Sequence, residues 1–106
     1  MIVVTVHQVP GYEIAEVLGI VEGNTIRARS VFRDILAMLK NVIGGEIEEY
    51  TKLLAESRDQ AVDRMKEQAE ELGADAILDM RFSTSEIMSG AAEILAYGTA
   101  VKLKKK

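Results

Sequence analysis

Cysteine is absent from this chain, so it can hold no disulfide, no thiolate metal site and no cysteine nucleophile. Tryptophan is absent too, and the aromatic share is 5%, which leaves Tyr12, Tyr50 and Tyr97 as the only tyrosines for stacking on a flat cofactor. Histidine occurs once, as His7. Soft heavy metals favour thiolate, thioether and imidazole donors. A single His and five methionines scattered at Met1, Met38, Met65, Met80 and Met88 do not gather such a set within one chain. No run of 18 apolar residues is present, so no helical membrane span is expected. The first residues lack a basic stretch followed by a full apolar stretch, so no signal peptide is expected and the cytoplasm is the expected compartment. Thirteen basic against seventeen acidic residues give a net charge of −4, which argues against nucleic acid, because phosphate binding needs a basic stripe. The basic tail Lys102, Lys104, Lys105, Lys106 reads as a solvated terminus. The chain also lacks Gly-x-Ser-x-Gly, His-Glu-x-x-His and a P-loop, so no catalytic residue, metal ligand or cofactor is assigned.

What is present is the material of one globular α+β domain over residues 1–106: 48% hydrophobic residues, 28% charged. The β-branched run Ile2 to His7, closed by Pro10-Gly11, predicts a strand and a turn. Tyr12 to Val21 is apolar on both faces, as in a strand covered twice or lying at a subunit contact. Glu22-Gly23-Asn24-Thr25 carries hairpin chemistry, with Gly23 in the turn and a return strand from Thr25 to Arg29. Ser30 caps an expected helix to about Val42, ended by Gly44-Gly45. A second, long helix is expected from Glu46, with acidic residues in its first turn and Gly73 just past its end. Ala76, Leu78, Met80, Phe82 and Met88 then alternate with Asp79, Arg81, Ser83 and Ser85, a strand with one apolar and one polar face. Ser89-Gly90 turns the chain into a last strand, whose Ala96, Gly98 and Ala100 are small enough to admit a helix. The order predicts a mostly antiparallel sheet packed on a long helix.

The long helix contains an anomaly. Its apolar stripe reads Ile47, Tyr50, Leu54, Ala61, Met65, Ala69, Leu72, in steps of three and four except for one gap of seven, and Arg58 falls in that gap. A lone buried guanidinium costs several kcal/mol, on the order of 3 to 5 when a partner is removed. Arg58 therefore either meets a carboxylate (Glu46, Glu86, Glu93 or Asp75, from this copy or the next) or stands exposed at the edge of the stripe.

The segments VEGNTIRARS, NVIGGEIEEYTKLLAESRDQAVDRM, GADAILDMRF and AYGTAV together resemble the YbjQ-like family of small uncharacterised proteins. The resemblance covers nearly the whole chain. It implies a dodecin-like subunit assembled as a ring-shaped homopentamer, and it carries the usual family label of heavy-metal binding without an established activity. On that basis a non-catalytic scaffold or small-ligand binder is expected, with a metal-binding module and an enzyme with a site between subunits as the alternatives; the partner expected is the chain itself, with a small molecule as a further candidate. Glu46, Tyr50, Arg58 and Arg81 are the ligand or interface candidates. The turn glycines expected are Gly23, Gly44, Gly45, Gly73 and Gly90.

Overall fold

The computed structural model describes residues 1–27, 48–88 and 91–106. The predicted first helix, the Gly44-Gly45 break, Glu46 and the Gly90 turn lie outside the described residues. The elements are β1 (Ile2–Val3), β2 (Tyr12–Arg27), α1 (Glu48–Glu71), β3 (Ala76–Met88) and β4 (Ala91–Lys105). They form a mixed four-stranded sheet in the order β1-β3-β4-β2. β1 runs parallel to β3, and the other two pairings are antiparallel. The fold is α+β, as the element order predicted.

β2 corrects the sequence reading. Gly23 is not a hairpin turn: the chain runs straight through it as a 16-residue strand, with Gly23 opposite Ala96. The missing side chain serves a different need. A Cβ on Gly23 would lie 2.3 Å from the Ala61 carbonyl oxygen and 2.3 Å from the Met65 amide nitrogen, so this is where the helix backbone rests on the sheet. Glycine permits positive φ and it permits close approach, and residues 22–25 use the second property.

The helix is held by a buried stripe that the sequence showed only in part. Ala61, Met65 and Ala69 are fully buried, Leu54 is half-buried, and the gap of seven is filled by Ser57 at 1% exposure. Steps of three and four from Leu54 through Ser57 to Ala69 keep one face on the sheet. Ser57 is tolerated there because its hydroxyl donates to the Leu53 carbonyl, and the buried Thr25 hydroxyl on β2 donates to the Ser57 carbonyl at 3.0 Å. Leu72, expected in the stripe, is exposed. Beyond the helix Gly73 takes φ +79°, and the Ala74 amide donates to the Ala69 carbonyl at 3.0 Å, which closes the last turn.

The main core lies between α1 and the sheet: Val21 from β2, Ile77 and Met80 from β3, and Ile94, Ala96 and Ala100 from β4. A smaller cluster on the opposite face joins Ala76, Leu78 and Val101 to Val4, Val9 and Leu103. These two clusters correct the expected alternation of β3. Ala76 and Leu78 face away from the helix, whereas Met80 lies in the helix-side core. The switch occurs at a bulge, where Asp79 takes φ +53° and the register slips between Leu78 and Arg81. Gly98 on β4 accommodates it, since a Cβ there would lie 2.6 Å from the Ile77 side chain and 3.0 Å from the Leu78 carbonyl oxygen.

Candidate functional site

Residues directly opposite in antiparallel strands point to the same face. Ile14, Val17, Ile20 and Ile26 of β2 lie opposite Leu103, Val101, Thr99 and Glu93 of β4, which puts them on the face away from the helix. Val17 is 62% exposed and Ile20 is 78% exposed, with Ile14, Ile26 and Tyr97 also open to solvent. β2 is moreover an edge strand, so its outer backbone groups have no strand beside them within the described sheet.

The helix closes part of that edge. The Glu22 amide donates to Gln68 Oε1 at 2.7 Å, and Arg64 donates to the Asn24 carbonyl. Arg64 and Gln68, four residues apart, share one helix flank and occupy the outward-pointing groups of residues 22 and 24. Asn24 also donates to Glu93 at 2.9 Å, completing a polar hollow of about 470 Å³ that includes Gly23 and Leu95. Among the described residues, no side chain of α1 caps Tyr12 to Ile20 in this way. That stretch holds two irregularities of register, between Ile14 and Glu16 and between Val17 and Gly19, with Gly19 at φ +122°.

At the opposite edge, the segment after β1 continues along β3 by hydrogen bonds. The Val4 amide donates to the Ile77 carbonyl, and the Met80 and Asp79 amides donate to the Val4 and Val6 carbonyls. Here Val3, Val4, Thr5, Val6, Met80 and Phe82 line an apolar hollow of about 550 Å³. Arg81 is exposed at its rim and donates to the Thr5 carbonyl at 2.9 Å and to the Met80 carbonyl at 2.8 Å.

Of the predicted site residues, Glu46 lies outside the described residues. Arg58 is exposed, and its Nε donates to the Leu54 carbonyl of its own helix at 3.4 Å. Of its candidate partners, Asp75 instead accepts from the Leu103 amide at 2.8 Å and Glu93 accepts from Asn24. Tyr50 lies in the first turn of α1, while Arg58 and Arg81 hydrogen-bond to different elements. Sequence reasoning missed Ser57, Arg64 and Gln68. The gap of seven in the stripe was the signal for Ser57; the two flank residues had none, because long polar side chains on a helix read as solvated.

The donor set can be tested against a soft metal. His7 is exposed in the connection between β1 and β2. Met65 and Met80 are buried in the helix-side core. No group of three or more His, Asp or Glu converges among the described residues. With no cysteine in the chain, these residues do not fit a soft heavy metal within one copy. Among the described residues no helix is long and apolar enough to cross a membrane.

Among the described residues, one helix laid across one face of a mixed sheet, with the far edge strand long and apolar, defines a small α+β sheet protein. Residues 1–104 match the YbjQ-like family described as "Putative heavy-metal-binding", and the chain belongs to that family. It is 58% identical over 103 residues to a UPF0145 protein of Methanoculleus marisnigri, spanning 97% of this chain and 96% of the relative. A UPF0145 protein of Thermotoga maritima is 56% identical over 105 residues, spanning 99% of both. Among solved structures, a DUF74-family protein of unknown function from Pediococcus pentosaceus shares the fold, with a TM-score of 0.65 at 18% identity over 98% of each chain.

Proposed function

We propose that the chain works as a non-catalytic homo-oligomer, a pentameric ring of dodecin-like subunits in the cytoplasm that serves as a scaffold or holds a small ligand between subunits. The observation that carries this is the unfinished edge of β2. A 16-residue edge strand with Ile14, Val17, Ile20 and Ile26 exposed on one face is the feature that soluble chains avoid or bury against another copy. The number five comes from the family resemblance. In this reading Arg58 and Arg81, both exposed cations, contribute together with Tyr50 and Glu46 to subunit contacts or to a ligand site between subunits. A shared site also gives the family's metal label its one chemical route, since symmetry multiplies ligands that one copy lacks.

Native mass spectrometry of untagged protein, purified without chelator, tests the proposal. The expected result is a five-subunit mass, bare or with a reproducible organic adduct. A metal adduct of fixed stoichiometry would replace the scaffold reading with the metal-binding one, and a monomer at micromolar concentration would overturn assembly.

A further inference from the structure

The apolar hollow at the short edge of the sheet exists because the chain leaves that edge early. β1 pairs with β3 for two residues, and residues 5–7 then bend, while β3 runs on to Met88. The bulge at Asp79 turns Met80 and Phe82 toward the helix side where that neighbour ends. Met80 is covered by the helix-side core, but Phe82 is 43% exposed and Val6 54%. Val3, Val4 and Thr5 complete the lining of about 550 Å³. Backbone hydrogen bonds hold its frame: Val4 donates to the Ile77 carbonyl, and Met80 and Asp79 donate to the Val4 and Val6 carbonyls, each at 3.0 Å. The hollow is therefore preformed, and one chain supplies all of its lining.

One charged group stands at its mouth. Arg81 Nη1 donates to the Thr5 and Met80 carbonyls, both of lining residues, at 2.9 and 2.8 Å. Those two bonds fix the guanidinium and occupy one of its three nitrogens. Nε and Nη2, the edge that meets a carboxylate through two parallel hydrogen bonds, have no hydrogen-bond partner among the described residues. Asp79, two residues earlier, forms no ion pair with Arg81, and residues 1–10 carry no acidic side chain. The lining itself is poor in polar side chains, with Thr5 supplying the single hydroxyl. A flat heterocycle is disfavoured there, because each of its ring nitrogens and carbonyls needs a partner on burial. An unbranched alkyl chain needs none.

Resting on the small-ligand part of the reading above, we infer that this hollow binds a medium-chain alkyl carboxylate, with the chain against Val3, Val6, Met80 and Phe82 and the carboxylate on the Nε–Nη2 edge of Arg81. An apolar cavity of this size with one placed polar group is the usual form of a small-molecule site. The two halves contribute unequally. Methylene burial sets the affinity, at about fourfold per methylene. The exposed guanidinium sets orientation and selects the anion, at about fivefold.

The test titrates the parent protein with hexanoate, octanoate and decanoate, each below its micelle concentration, and follows the valine and methionine methyl groups by NMR; native mass is measured in parallel. The expected result is one saturable site per chain, with shifts at Val3, Val4, Val6 and Met80 and affinity rising about fourfold per added methylene. Decanol should bind about fivefold less tightly than decanoate. Arg81→Gln, whose amide can still donate to a carbonyl but carries no charge, should erase that preference and leave decanol binding unchanged. Binding that does not saturate, or shifts confined to other methyl groups such as those of Val17, would overturn the inference. So would an Arg81→Gln chain that keeps the preference for decanoate. A reproducible organic adduct of another class in the native mass, with no decanoate binding, would overturn it while leaving the small-ligand reading standing. A bare native mass with no carboxylate bound would remove both and leave the scaffold.

Discussion

On its helix side β2 is closed as tightly as backbone allows. Val21 is fully buried, Gly23 touches the helix backbone, and Thr25 is tied to Ser57. On the other side of the same strand, Val17 and Ile20 stand in solvent. One strand therefore divides its residues between a face that is complete in a single chain and a face that is not. Substitutions on the first should unfold the chain. Those on the second should leave the chain folded and change only what it joins.

The largest effect is expected at Gly23. Gly23→Ala places a Cβ against helix backbone, not against a side chain that can turn aside, and should destabilise by about 3 kcal/mol or more in chemical denaturation. Met65→Ala comes next: it empties the centre of the helix-side core and should cost about 3 kcal/mol by the same assay. Thr25→Val removes the hydroxyl that ties β2 to α1 while keeping the shape, and should cost about 1 kcal/mol. Arg58→Ala should fall within about 0.5 kcal/mol for the folding of one chain, because the side chain is exposed. A larger loss would return Arg58 to the core. If it instead shifts the oligomer toward smaller species in sedimentation, Arg58 belongs to the contact between copies.

Much of this architecture was legible because the signals were local. Glycine past a helix end, as at Gly73, depends on one turn of chain. The small residues Ala96 and Ala100 pointed to the helix correctly, since close approach needs small side chains wherever it occurs. Gly23 failed because the same missing Cβ serves a turn and a crossing, and only the tertiary contact decides between them. Asp79 failed because a bulge leaves the letters of an alternating strand unchanged while reversing which face they meet. Arg58 was placed in the stripe by counting apolar letters; the helix instead buries Ser57, whose hydrogen bonds have no signature in a hydrophobic pattern. The candidate site was legible least of all, because Arg58 and Arg81 hydrogen-bond to separate elements and nothing in a hydrophobic pattern tells which exposed side chains meet.

The central claim is that the far face and open edge of β2 are finished by another copy of this chain. Sedimentation velocity of the parent protein beside Ile20→Lys tests it most directly, with circular dichroism confirming that both are folded. The account predicts an assembled parent and a folded, monomeric Ile20→Lys. Two samples that sediment alike, both assembled or both monomeric, would contradict it.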